Sequence, residues 1–231
     1  MLLQIKNINK KYFKKSSLID INMNIQEGKI VGLLGPNGSG KTTLMKIIAS
    51  LIRANKGEIL INGYKPGIDT KKIVSYLPDK EFLPNWMKIK DAIKYYEDFF
   101  PDFSRSKCID LIKFMKLDEN MHTKSLSKGM MEKLNLSLVL SREARLYLLD
   151  EPLGGIDLVD RENIMNMIIN NYNEKSSILI STHLINDIES LFDEVFFIDR
   201  GTIILHQNAE NIREKNNKSI SELYREVFKN A

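Results

Sequence analysis

Gly35-Pro36-Asn37-Gly38-Ser39-Gly40-Lys41-Thr42 lies between a short apolar run, Ile30-Val31-Gly32-Leu33-Leu34, and a stretch from Lys41 to Leu51 with helical spacing. The octapeptide fits G-x-x-x-x-G-K-[ST] in the strand-to-helix context that gives this pattern its meaning. Its glycines let successive backbone N–H groups wrap a phosphate, and the N-terminus of the helix that follows adds positive potential. Lys41 supplies a cation for the outer phosphates, the Thr42 hydroxyl is an oxygen ligand for Mg2+, and Thr43 follows in the same turn. A glycine-rich turn with a chance lysine does not explain the fixed positions and the context together.

Upstream, residues 2–34 alternate in the manner of strands, with Glu27-Gly28 as a turn signal. Downstream, Glu58-Ile59-Leu60-Ile61 and Ile73-Val74-Ser75-Tyr76-Leu77 are further expected strands, the second beside the strand 30–34. The chain then changes character. Ile89, Ala92, Ile93, Tyr96 and Phe100 follow helical spacing that Pro101 closes; Cys108, Leu111, Ile112 and Met115 repeat it; a third helix is expected to begin after Ser127 and run to about Ser141. Strands at 146–149, 177–181 and 194–198 return after it, separated by helices. This alternation implies an α/β fold, a P-loop NTPase core with a largely parallel sheet covered by helices on both faces. The expected organisation is one domain over 1–231. Residues 1–87 and 143–206 form its core, 88–142 a helical insertion, and 207–231 a charged helical tail.

The bulk numbers fit that reading. The chain has 231 residues, 43% hydrophobic and 28% charged, enough apolar mass for a core. Its net charge of +4 is mild and scattered, which argues against nucleic acid as a partner. The single cysteine, Cys108, fits a reducing compartment. No apolar run reaches membrane-span length and the N-terminus carries no secretory pattern, so the chain is expected in the cytosol unless a partner holds it at a membrane.

The strand Leu146 to Leu149 runs into Asp150-Glu151. Acidic turns after strands are common, but paired with the phosphate loop this one has a chemical reading. Asp150 can hold Mg2+ and Glu151 can take a proton from an attacking water. Leu126-Ser127-Lys128-Gly129-Met130 precedes the next helix; the Ser127 hydroxyl, the Gly129 amide and the helix dipole make an anion site.

In this order these motifs resemble the ATPase subunits of ABC transporters. The pentapeptide resembles their Leu-Ser-Gly-Gly-Gln signature, with Lys128 for the first glycine and Met130 for the glutamine. The resemblance implies an N-terminal antiparallel β subdomain, the inserted helical subdomain, and a head-to-tail dimer. In that dimer Ser127 and Gly129 bind the γ-phosphate held by the partner's P-loop. Gly154-Gly155-Ile156-Asp157 resembles the D-loop, with Asp157 at the dimer contact. Ser181-Thr182-His183 resembles the switch-histidine segment. Tyr12 stands where the family stacks an aromatic on adenine, with Phe13 as a rival and a core tyrosine as the bland reading. Tyr76-Leu77-Pro78 is followed by Asp79 where the family has glutamine; Asp79 can still ligate Mg2+ or orient water. The implied ligands are ATP and Mg2+, with no other metal.

The implied partners are a membrane permease and a second ATPase chain, placing this chain on the cytoplasmic face of the membrane. Phe82, Leu83 and Trp86, after Asp79, are candidate anchors for the permease, whereas Tyr96 and Phe100 read as core. The variant signature and the stretch 219–228 resemble a bacterial branch that exports antimicrobial peptides or antibiotics, often beside GntR-type regulators. A regulatory module that binds ATP with little turnover, or a non-transport ABC ATPase, stays open; a chromosome-type ATPase needs a long coiled coil between the two nucleotide motifs that this chain lacks.

Overall fold

A computed structural model describes residues 1–80, 82–215 and 217–229. Glu81 of the loop after Asp79, and Asn216, Asn230 and Ala231 of the tail, lie outside the described residues.

Two sheets organise the fold. Strands β1 (Leu3–Tyr12), β2 (Lys15–Ile25) and β4 (Lys56–Ile61) pair antiparallel in the order β2-β1-β4. The larger sheet contains β3 (Ile30–Leu34), β5 (Val74–Leu77), β6 (Leu146–Asp150), β7 (Ser177–Thr182), β8 (Glu194–Asp199) and β9 (Thr202–Asn208), in the order β5-β6-β7-β3-β8-β9. All its pairings are parallel except β8 with β9. The strand β5 is therefore an edge strand, separated from β3 by β6 and β7, and not its neighbour. Asp79 still reaches the site because parallel strands open their C-terminal ends on one side of the sheet.

The central strands are apolar throughout because both faces are covered. Ile30 and Leu34 of β3, Tyr147 and Leu149 of β6, and Val195 and Phe197 of β8 pack on one face, against the helices α3 (Ile89–Phe99), α4 (Arg105–Phe114) and α5 (Lys128–Leu140) and their neighbours. Val31 and Leu33, Leu146 and Leu148, and Phe196 and Ile198 face the other way, onto the antiparallel sheet and the helix α1 (Lys41–Ile48). Successive residues thus divide between two cores with the period of two that a strand imposes. Tyr96 is buried and Phe100 packs against the first core, as their spacing implies.

The helix α1 stops at Ile48, short of Leu51. Ser50 takes a left-handed φ of 60°, its amide donates to Ile47, and the Leu51 amide donates back to the Lys46 carbonyl. This paired closure satisfies the last carbonyls and turns the chain away. A short helix α2 (Ile68–Lys71) precedes β5; α6 (Leu158–Asn171) joins β6 to β7, and α7 (Ile185–Ile188) follows β7. The stretch read as a charged tail begins inside β9 and continues as α8 (Ala209–Lys215) and α9 (Ile220–Lys229). It is docked, with Ile212 and Ile220 fully buried, Tyr224 edge-on to Phe197 and Phe228 tilted against both rings. Among the described residues no helix is long and apolar enough to cross a membrane.

Candidate functional site

The loop between β3 and α1 is held from below. The Gly201 amide donates to the Ser39 carbonyl at 2.9 Å, and the Gly201 carbonyl accepts from Ile19 at 2.7 Å, so the β8–β9 turn braces the loop against β2. Gly40 caps α1 at φ 113°, and a side chain there would meet the Ser17 carbonyl at 2.7 Å; only glycine fits this approach. Thr43 shares a hydroxyl bond of 3.0 Å with Ser17, which ties α1 to β2.

Lys41 is 6% exposed and folds back along the loop, donating to the Gly35 carbonyl at 2.7 Å and the Pro36 carbonyl at 3.2 Å. An ammonium has three donors, so one remains for a phosphate. Burial pushes the Lys41 ammonium below the usual lysine range, and the carboxylates of Glu151, Asp150 and Asp79 work against that shift.

Asp150 ends β6 and is 1% exposed. Ser181 donates to its Oδ1, and Tyr76 to its Oδ2 at 3.5 Å. Burial pushes its carboxyl up, against the hydrogen bonds from Ser181 and Thr42 that pull it down. A carboxyl raised on folding binds its proton more tightly in the folded state, so stability is lost as pH rises from the ordinary carboxylate range through the folded value. At neutral pH the charge of Asp150 therefore costs stability. Asp150→Asn is expected to raise the thermal midpoint at pH 7, an advantage that shrinks as pH falls through the carboxylate range, while ATP turnover collapses. A lower midpoint in thermal scans at pH 7 would contradict this account.

Glu151 follows at a left-handed φ of 57°, its amide bonded to the Ser181 carbonyl at 2.9 Å. That turn swings its carboxylate onto His183, whose Nδ1 lies 2.8 Å and whose amide lies 3.2 Å from Oε2. His183 sits just after β7, so adjacent strands deliver the pair. Arg161 of α6 donates to the Ile156 carbonyl at 3.2 Å and to Asp187 at 2.7 Å, joining the turn after Glu151 to the turn after His183.

These groups meet in one cleft of about 860 Å³. It is lined by Tyr12, Asn37, Gly38, Gly40, Lys41, Thr42, Thr43, Asp79, Glu151 and His183 of the expected residues, with Asp150 beneath the floor. Tyr12 lines it and its rival Phe13 stands in solvent. Ser127 and Asp157 do not line it. Each caps a helix: Ser127 accepts from the Met130 amide at 3.2 Å at the start of α5, and Asp157 from the Asp160 amide at 3.0 Å at the start of α6. Gly129 lies against the Gly155 carbonyl, back to back with that turn. Lys15, Ser17, Lys128 and Arg161 also line the cleft and were not anticipated there; for Lys128, its departure from the signature was the available signal.

The donors around Asp150 are a threonine hydroxyl and carboxylates, hard oxygens of the kind Mg2+ prefers. Among the described residues no group of three or more His, Cys, Asp or Glu forms a metal cage.

A parallel sheet with a phosphate loop, a buried carboxylate and a second carboxylate held by histidine at the same strand ends defines a P-loop ATPase. The ABC transporter family model matches residues 18–154. The lantibiotic transport ATP-binding protein SrtF of Streptococcus pyogenes is 32% identical, covering 95% of this chain and 97% of its own. The SkfA peptide export ATP-binding protein SkfE of Bacillus subtilis (strain 168) is 30% identical, covering 88% and 87%. A solved ATP-binding subunit of an ABC transporter superposes with a TM-score of 0.86 at 25% identity, covering 98% of this chain and 99% of that one. The ATP-binding cassette MJ0796, solved as a dimer with ADP and Pi, shares the fold with a TM-score of 0.81 at 21% identity, over 90% and 98%. The chain belongs to the ABC transporter family, as an ATP-binding subunit.

Proposed function

We propose that this chain is the motor of a membrane exporter, hydrolysing Mg-ATP and working as one of a head-to-tail pair on a separate permease, at the cytoplasmic face of the membrane. The observation that carries the reading is the convergence of Lys41, Thr42, Asp79, Glu151 and His183 on one cleft over buried Asp150.

Lys41 and the loop amides of Gly38 to Thr42 take the β- and γ-phosphates, and Tyr12 stacks on the base. Thr42 and Asp150 would hold Mg2+, with Asp79 beside them, and the ion would supply charge neutralisation for the phosphates. Glu151 accepts the proton of the attacking water as its oxygen bonds to the γ-phosphorus and the bond to ADP breaks. His183 keeps the Glu151 carboxylate aimed through Nδ1 and its amide. Ser127 and Gly129, which do not line this chain's own cleft, take the γ-phosphate of the partner's nucleotide, and Asp157 lies at the contact between the two chains. The relatives named for lantibiotic and peptide export support a peptide or antibiotic as cargo.

The loop after Asp79 is the contact for the permease. Leu83, at 8% exposure, belongs to the core and drops out as an anchor; Trp86, at 71%, and Phe82 remain outside. Exposed aromatics in a loop suit helix-in-groove docking. A Phe82→Ala, Trp86→Ala double variant is expected to fold and to bind ATP, yet to lose both co-purification with the permease and membrane-stimulated hydrolysis. Undiminished co-purification places the docking surface elsewhere, and absence of any steady-state hydrolysis by the native chain on membranes favours a regulatory ATP-binding module.

A further inference from the structure

Lys128 stands where the signature carries glycine, and the surrounding chain is shaped to it. It is the first residue of α5, directly after the Ser127 cap. Its stem lies across Gly155, in the turn that follows Glu151. A β-carbon on Gly155 would come within 2.7 Å of the Lys128 Cε and 2.9 Å of its Cδ, and Gly155 holds a φ of 83°. The φ of Gly155 favours glycine by itself, and a side chain there would also displace the flexible end of the lysine, which lies over bare backbone. The two turns are clamped from behind by the Lys133–Asp160 ion pair between α5 and α6. The lysine is therefore led over bare backbone to a defined place.

That place is the lip of the nucleotide cleft, which Lys128 lines together with Lys41, Thr42, Glu151 and His183. The other cation on this side, Arg161, is engaged by Asp187. Lys128 makes no ion pair or side-chain hydrogen bond among the described residues, and it stands at a helix N-terminus that already favours anions. Asp79, Glu151 and buried Asp150 concentrate negative charge here, which a terminal phosphate would add to; a further cation at this end balances it.

We propose that Lys128 is a nucleotide-binding residue whose ammonium recognises the terminal phosphate of ATP, with Gly155 as its positioning partner. The proposal rests on the reading of the cleft as an ATP site. It makes Lys128 a discriminator between ATP and ADP, since only ATP carries the phosphate at that end.

The test uses the full chain. Affinities for a non-hydrolysable ATP analogue and for ADP are measured for the native protein, Lys128→Met and Lys128→Arg. ATP-driven self-association is measured in the Glu151→Gln background. Lys128→Met is expected to weaken the ATP analogue by about tenfold to a hundredfold, the worth of one charge-assisted hydrogen bond, in one of these readouts, while ADP affinity stays within about twofold. Loss already in the isolated chain places the ammonium on this chain's own nucleotide; loss confined to self-association places it on the partner's. Lys128→Arg keeps most of the preference. Gly155→Ala reproduces the loss in the native background and adds little to Lys128→Met, the non-additivity expected of a coupled pair. An unchanged ATP-over-ADP preference and unchanged self-association in Lys128→Met overturn the proposal. Failure of hydrolysis is read separately, from native turnover, and leaves this affinity comparison intact.

Discussion

Glu151→Gln lowers steady-state ATP turnover by about 10²–10⁴-fold, the range associated with loss of a positioned general base. The substitution is nearly isosteric, so the strained turn at Glu151 and the amide bond to Ser181 persist. The glutamine oxygen can still accept from the His183 amide, now 3.2 Å from the carboxylate. Lys41, Thr42 and Asp150 are untouched, so ATP affinity is retained and only proton acceptance is removed. A nucleotide that binds and is not hydrolysed holds the closed pair together. The variant with ATP is therefore expected to elute as a dimer in size-exclusion chromatography, and the native chain with ADP as a monomer. Near-native turnover in Glu151→Gln sinks the assignment of the base. Normal binding and slow turnover without a dimer would keep the base and remove the head-to-tail arrangement.

What could be read along the chain was local chemistry. The phosphate loop, the acidic end of β6 and the histidine after β7 each declare themselves within a few residues, because a strand end fixes where its last side chains point. Their convergence required only that parallel strands open on one side. Pairings without a local mark were missed. The hairpin of β8 and β9 turns on Arg200-Gly201, with φ of 45° and 82°, a two-residue turn whose glycine and flanking alternation were a usable signal. The expected strands end at 198, and 199–206 carry no assigned element although they fall within the expected core. The charged tail holds enough apolar side chains on one face to dock, as Tyr224 and Phe228 do on Phe197. Leu83 and Trp86 sit three residues apart in one loop with opposite fates, since only their neighbours in space distinguish core from surface. Lys128 looked like a defect in a motif, and its fit to Gly155 needs both turns in view.

Arg142 is the strongest case of a residue with no sequence signal and a large expected effect. It follows α5, is 4% exposed in its side chain, and uses its whole guanidinium. Nε and Nη2 donate to the Asp102 carboxylate at 3.0 Å each; Nη1 donates to the Val74 carbonyl at 2.8 Å, and Nη2 to the carbonyls of Lys71 and Lys72 at 3.1 Å. The plane stacks on Phe100 at 4.1 Å, and the Tyr147 hydroxyl donates to the Arg142 carbonyl at 2.5 Å. The residue thus joins the turn after α3, the end of α5, and the edge formed by α2 and β5. Its partners come from stretches far apart in the chain, which is why no spacing announced it. Arg142→Met keeps much of the stem volume but strips Asp102, the buried Val74 carbonyl and the part-buried carbonyls of Lys71 and Lys72 of a donor. Breaking one side of a buried pair costs about 3–5 kcal/mol. In a chain of this size each kcal/mol lowers the thermal midpoint by about 2–4 °C, so a fall of roughly 10 °C is expected. Arg142→Lys keeps the charge but cannot present a planar fork to a carboxylate and three carbonyls at once, and should recover less than half of the loss. The same strut ties the C-terminal end of the helix that Ser127 caps to the strand that leads to Asp79. Arg142→Met should therefore reduce ATP turnover at temperatures where the chain is still folded, with ATP affinity little changed. An unfolding free energy within about 1 kcal/mol of native would mean that the network is offset by its own desolvation, as buried ion pairs can be.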